Sequence, residues 1–168
     1  MKSIGIISDT HTTFDSKMID FLKDCDEIWH AGDIGNIETY DKIAKFKPLR
    51  AVYGNVDGHT VRLTTKEVLF FECEGVRVMM THIGGYPNRY YTDFKNLIIR
   101  NKPNLVITGH SHILKVMYDK KLNHLHINPG AAGNSGFHKI RTAIRLKIDK
   151  GNIFDLEVCE WDRKSVLE

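Results

Sequence analysis

Along the first two thirds of the chain, short apolar and β-branched runs alternate with segments whose apolar positions recur at helical spacing. "SIGIIS" reads as a strand. It leads into "SKMIDFLKDC", where Met18, Ile19, Leu22 and Cys25 share one helical face. "EIWH" is a second strand, Ile37 to Lys45 a second helix, and "LRAVY" a third strand. Two longer β runs, Val68 to Cys73 and Val76 to Thr81, are joined by Glu74-Gly75 and predict a hairpin. "TDFKNLIIRNK" predicts a helix capped by Thr92, with Phe94, Leu97 and Ile98 on one face, and "NLVITGH" predicts a buried strand after it. The remainder reads as β: Ile113 to Tyr118, Leu122 to Ile127, Arg141 to Ile148 and Ile153 to Val158, with a turn at "DKGN". The pattern is α/β early and antiparallel β late, which two packed sheets flanked by helices would accommodate.

Length and composition narrow this picture only slightly. A chain of 168 residues without repeat, low-complexity tract or linker is expected to form a single domain, residues 1–168. The net charge of +3 is small and its Lys and Arg are scattered, which argues against a dedicated nucleic-acid surface or membrane binding but leaves a nucleotide substrate open. Cys25, Cys73 and Cys159 form no CxxC pair, so three reduced thiols are expected rather than disulfides or a thiolate zinc site. "MKSIGIISD" meets an aspartate after only four residues of "IGII", so no signal peptide is expected, and no later run has membrane-spanning length. A reducing cytoplasm is the expected compartment. Nine histidines are the one unusual count.

Their placement gives the chemistry. "IGIIS" ends in Asp9 and His11, "EIWH" runs into Asp33, "LRAVYG" ends in Asn55, "VRVMMT" in His82, and "LVITG" in His110 and His112. Loops beyond the carboxyl ends of strands line the crevice of open α/β sheets, so five such ends can bring seven donor groups into one cleft. Taken singly, Gly-Asp and Gly-Asn are ordinary turn dipeptides, and a lone histidine is more often structural; the coincidence of all five points to metal. Two carboxylates, an amide oxygen and four imidazoles exceed the needs of one tetrahedral ion and suit two ions sharing a carboxylate. The imidazoles argue against calcium or magnesium, leaving manganese, iron, zinc or nickel; manganese is taken as the expected ion.

In order, "DTH", "GD", "GN", "H" and "GHSH" resemble the signature of the calcineurin-like metallophosphoesterases, and the resemblance continues through "INPG" at Ile127 to Gly130. The short length without a cap domain is similar to the small bacterial and archaeal phosphodiesterase branch, which also includes the scaffold subunit of the eukaryotic retromer. The resemblance implies a two-sheet β sandwich flanked by helices, an α/β fold. It implies that Asp9, His11 and His112 hold one divalent ion, that Asn55, His82 and His110 hold another, and that Asp33 bridges them. It further implies in-line hydrolysis of a small-molecule or nucleotide phosphoester by a metal-bridging hydroxide. The alternatives on the same fold are a non-catalytic protein-binding scaffold, against which the intact ligand set counts, and a phosphomonoesterase.

One departure from the family bears on mechanism. Many members carry "GNH" followed by an acid, and that histidine contacts phosphate and protonates the leaving group. Here the stretch is "GNVDGH", with Val56 in its place. Asp57 matches the acidic position and could orient a histidine or simply serve a turn; His59 is a substitute donor without precedent in the family. Without a general acid, substrates with good leaving groups are expected. Arg89 lies among Tyr86, Tyr90 and Tyr91 and is a candidate substrate contact beside Asn55, with a structural rim loop as the plainer reading. Ala131 stands where the family often has serine after "NPG", removing a hydroxyl. His30 is a candidate support for Asp33, while His124 and His126, alternating on one strand, read as surface or packing residues.

Overall fold

The computed structural model describes residues 1–163. In chain order the elements are β1 (Lys2–Ile7), α1 (Ser16–Leu22), β2 (Glu27–His30), α2 (Ile37–Phe46), β3 (Leu49–Ala51), α3 (His59–Thr64), β4 (Val68–Cys73), β5 (Val76–Thr81), α4 (Thr92–Asn101), β6 (Leu105–Ile107), β7 (Leu114–Asp119), β8 (His124–Pro129), β9 (Ile140–Asp149) and β10 (Asn152–Asp162). They form two five-stranded sheets, ordered β10-β9-β1-β2-β3 and β4-β5-β6-β8-β7. Strands β1, β2 and β3 run parallel, as do β5, β6 and β8, while the other partners are antiparallel. No helix among the described residues is long and apolar enough to cross a membrane.

Alternation within each strand decides which side chains meet. Ile4 and Ile6 of β1, with Trp29 of β2, face inward to meet Val78 and Met80 of β5, Leu105 and Ile107 of β6, and Ile127 of β8. Ile7 and Ile28 face outward, beneath Met18 and Leu22 of α1 and Ile43 of α2. Met79 and Val106, on the outer face of the second sheet, are covered by Phe94 and Ile98 of α4. The result is helices, sheet, sheet, helix: the α/β sandwich expected from the pattern, with no additional cap among the described residues. Glu74 and Gly75 take positive φ at the β4–β5 connection, the backbone a two-residue hairpin turn demands. Cys25, Cys73 and Cys159 are free thiols.

Several boundaries differ from the sequence reading. Thr92 is not the cap of α4; Tyr91 occupies that position without a side-chain hydrogen bond, and Thr92 is the first helical residue. Strand β3 stops at Ala51, and Val52 instead bridges to Lys66. The six-residue helix α3 has no counterpart in the reading, because "HTVRLT" is too short for its apolar period to stand out and buries only Val61. Strand β8 lies parallel to β6, so the late half is not purely antiparallel.

Helix α1 is anchored close to the rim described next. Asp15 caps it by accepting from Met18 N–H and also receives two hydrogen bonds from Arg141, at 2.9 and 3.1 Å. Arg141 is wholly buried, and its Nε donates to the carbonyl of Ala132 at 2.7 Å. That single guanidinium ties the first turn of α1 to the loop after β8.

Candidate metal centre

The loops that follow β1, β2, β3, β5 and β6 converge. Asp9, His11 and His112 form one cluster of donor groups, and Asp33, His82 and His110 form a second; within each, the donor atoms lie within 4.8 Å of one another. Oδ2 of Asp33 is 3.1 Å from Nε2 of His82 in its own cluster and 3.6 Å from Nε2 of His11 in the other. Asp33 therefore stands between the two groups. Asn55 is exposed and lines the same cleft of ≈ 520 Å³, together with His11, Asp33, His110 and His112.

The backbone is bent to achieve this convergence. Asp9, His11, Asp33, His110 and His112 all have positive φ, between 43° and 73°. Left-handed backbone costs non-glycine residues roughly 1–3 kcal/mol each and persists only where neighbours over-determine it. Here they do: Asp9, His11 and Thr12 N–H donate to the carbonyls of Gly32, Asp33 and Ile34, zipping the first two loops together. Gly109 N–H donates to the carbonyl of His82, and the loop after β8 closes from behind through Ala132 N–H to Ser8 and Gly133 N–H to Asp9. Gly54 admits the closest approach, since a Cβ there would overlap Oδ1 and the backbone nitrogen of Asp33.

Each donor is oriented by a second contact. Oδ2 of Asp9 accepts from the Ser8 hydroxyl and His110 N–H, at 2.8 and 3.1 Å, leaving Oδ1 for the cleft. Oδ1 of Asp33 accepts from Val56 N–H. Nδ1 of His82 donates to the carbonyl of Ala31 at 2.8 Å, so Nε2 faces the carboxylates. His138 Nε2 donates to the Gly133 carbonyl, which leaves its Nδ1 to accept from Nδ1 of His112 and fixes the His112 lone pair on Nε2, 3.2 Å from Asp9 Oδ1.

This arrangement fits a cation. Oδ1 of Asp9 and Nε2 of His82 are both buried without a hydrogen-bond partner, 3.7 Å apart. Lone pairs so placed cost free energy unless positive charge lies between them. The titration behaviour says the same. Burial pushes the Asp9 and Asp33 carboxyls up, but the facing histidines and the donors from Ser8 and Val56 outweigh it and hold both below the ordinary carboxylate value. Burial pushes His82 down, yet Asp33 and Asp9 prevail and raise it.

The other residues singled out in the sequence take different places. Asp57 is buried and accepts from Ile34, Gly35 and Gly54 N–H, so it clamps the second loop to the third and hydrogen-bonds no histidine. His59 opens α3, exposed, and does not line the cleft. Arg89 is likewise exposed and outside the cleft lining. Val56 lines the cleft. His30 is wholly buried, held neutral with its pKa lowered to about 4 by burial, and bonds the Thr10 hydroxyl and Gly32 N–H rather than Asp33. His124 and His126 are not surface residues: both are fully buried, and both meet the Tyr90 hydroxyl, at 2.8 and 2.7 Å. Ala131 is buried behind the site. His138 carries no signal in the sequence: "GNSGFHK" has no periodicity, and the residue stands 26 positions from His112.

A two-sheet sandwich whose strand ends carry paired carboxylate–imidazole clusters defines an α/β protein with a candidate metal centre. A family model described as calcineurin-like phosphoesterase superfamily domain matches residues 1–151, and the chain belongs to that family. Membership implies divalent metal ions. A probable metallophosphoesterase of Methanothermobacter thermautotrophicus is 29% identical over 135 residues, covering 76% of each chain. Among solved structures, an archaeal phosphodiesterase superposes with a TM-score of 0.74 at 23% identity, covering 94% of this chain and 99% of its own. The zinc complex of Vps29 from Entamoeba histolytica gives 0.71 at 17% identity, covering 96% and 99%. Likeness at this identity establishes the fold shared with both.

Proposed function

We propose that the chain is a phosphodiesterase working through two divalent ions, one held by Asp9, His11 and His112, the other by Asn55, His82 and His110, with Asp33 shared. The observation that carries the reading is Asp33 Oδ2, which faces His82 in one cluster and His11 in the other. The archaeal phosphodiesterase of the same fold supports the reaction class, and the mixed set of imidazole, carboxylate and amide donors suits manganese, iron, zinc or nickel. When bound, the ions supply Lewis-acid charge to the phosphoryl oxygens and a water nucleophile near neutral pH.

The remaining work falls to the chain. Asp9 and Asp33 fix the charge of the floor, the Asp57 clamp keeps the second and third loops in register, and His138 holds the His112 ring in place. The cleft above the clusters presents Val56, Ile113 and Phe137 beside the polar groups. All three are exposed, Phe137 completely so. None of the three donates a proton, and Val56 stands where the family often has a histidine, so test esters with good leaving groups, such as aryl esters, are expected to turn over fastest.

The test is metal-reconstituted hydrolysis of bis(p-nitrophenyl) phosphate, p-nitrophenyl phosphate and cyclic nucleotides by the stripped protein. The diester is expected to turn over fastest, and Asp33→Asn to abolish turnover in a folded chain. Full activity of Asp33→Asn, or no hydrolysis with any of the four metals, overturns the reading.

A further inference from the structure

A second, smaller pocket of ≈ 120 Å³ adjoins the metal cleft, sharing His110 and Ser111 with it. Its wall also contains Tyr86, Lys115, His126 and Asn128. Such a volume holds about four waters at ~30 Å³ each, or one small polar group of comparable size. His126 is fully buried, its Nδ1 lies 2.7 Å from the Tyr90 hydroxyl, and its Nε2 has no hydrogen-bond partner.

The ring cannot resolve this by itself. Tyr90 has one hydroxyl proton and meets two imidazoles, at Nε2 of His124 and Nδ1 of His126. If the proton goes to His126, Nε2 is left as an unpaired N–H; if it goes to His124, Nε2 is left as a bare lone pair. A buried polar atom in either state gains from a partner. A hydroxyl group, which both donates and accepts, satisfies both. Much of the remaining wall is polar. Asn128 Nδ2 is spent on the Gly109 carbonyl and Ser111 Oγ, each at 3.1 Å, which holds Ser111 at the junction of the two pockets. Lys115 Nζ sits 4.0 Å from the centroid of the Tyr86 ring, a cation beside the opening.

We infer that this pocket is a substrate subsite that receives a hydroxyl of the alcohol arm of the phosphoester, with Nε2 of His126 as its anchor. Sugar and glycerol arms share that chemistry. The inference rests on a phosphoester occupying the adjoining metal cleft, and it narrows the substrate class from phosphodiesters in general to those of polyhydroxylated alcohols.

Two measurements test it. In ¹⁵N-histidine-labelled wild-type protein reconstituted with Zn²⁺, ribose 5-phosphate or glycerol 3-phosphate should shift the His126 Nε2 signal, whereas methyl phosphate should not; the two sugar-like ligands rank the sources. By calorimetry, His126→Asn, which keeps a polar atom for Tyr90 but removes Nε2, should weaken glycerol 3-phosphate or ribose 5-phosphate about 5- to 10-fold and leave methyl phosphate unchanged. His126→Gln, which retains a polar atom near the Nε2 position, should recover most of that loss. An unmoved Nε2 signal with every ligand, or equal weakening of hydroxylated and methyl ligands, overturns the subsite. Hydrolysis of bis(p-nitrophenyl) phosphate, which carries no hydroxyl, reports on the phosphodiesterase reading alone, so the two failures are distinguishable.

Discussion

Nδ1 of His138 lies 3.1 Å from Nδ1 of His112, and Nε2 of His138 is tied to the Gly133 carbonyl at 2.8 Å. The loop after β8 thus determines which nitrogen of His112 faces Asp9. Groups that orient a metal ligand in this way are typically worth about 10- to 100-fold in metal affinity. His138→Ala should therefore weaken the ion beside Asp9 by about that factor and leave the ion beside His82 nearly unaffected. Calorimetric titration of the stripped protein with Mn²⁺ checks this; equal weakening of both ions would assign His138 a merely structural role.

Val56 lines the cleft with its side chain half exposed, and its N–H is bonded to Asp33 Oδ1. Val56→His keeps that backbone contact and introduces a proton donor at the position where the family often has one. A well-placed general acid contributes about 10²–10⁴-fold, most for poor leaving groups. The variant should flatten the dependence of rate on leaving-group pKa, gaining on alkyl esters and little on p-nitrophenyl esters. A wild-type dependence that is already flat would show that another residue donates the proton.

Arg141 is wholly buried and paired with the partly exposed Asp15. Burial pushes the Asp15 carboxyl up, but the guanidinium and the Met18 N–H outweigh it and lower its pKa. A carboxylate with a depressed folded pKa stabilises above its unfolded value, near pH 4, and loses that contribution as pH falls through the folded one. Asp15→Asn leaves the guanidinium buried without a counter-charge. It should cost about 2–4 kcal/mol at neutral pH, toward the lower side for a buried pair because Asp15 is partly solvated. The loss should shrink below pH 4, as urea denaturation across pH would measure.

His126 titrates in the opposite sense. Burial, reinforced by His124 and Lys115 and opposed by Asp119, lowers its pKa to about 3. Burial likewise lowers His124 on the same strand, and burial raises the Tyr90 phenol between them. The unfolded chain binds the proton first, so stability should fall as pH drops below about 6.5 and level out near the folded value. His126→Asn should flatten the stability profile between pH 6.5 and 4. An unchanged slope would mean that the imidazole is solvated in the native state.

The strand ends were legible because burial forces apolar runs, and a polar residue terminating such a run is conspicuous: Asp9, His82 and His110 each stand just beyond one. The two-sheet architecture was legible for the same reason, whereas the strand order within each sheet was not. What escaped depends on contacts between residues distant in sequence. His138 reaches His112 across 26 positions from a loop without periodicity, and Tyr90 joins His124 and His126 across more than thirty. The alternation of His124 and His126 placed them on one face without saying that a tyrosine would bury it. Asp57 was visible as an acid but not as the acceptor of three backbone N–H groups, since two of its partners, Ile34 and Gly35, lie on another loop.

Anomalous diffraction at the manganese edge, from crystals of the stripped chain soaked in Mn²⁺, tests the central claim most directly. Two peaks are expected, about 3.5–4 Å apart, on either side of Asp33 Oδ2: one among Asp9, His11 and His112, the other among Asn55, His82 and His110. A single peak, or two peaks that do not share Asp33, would contradict the two-ion centre.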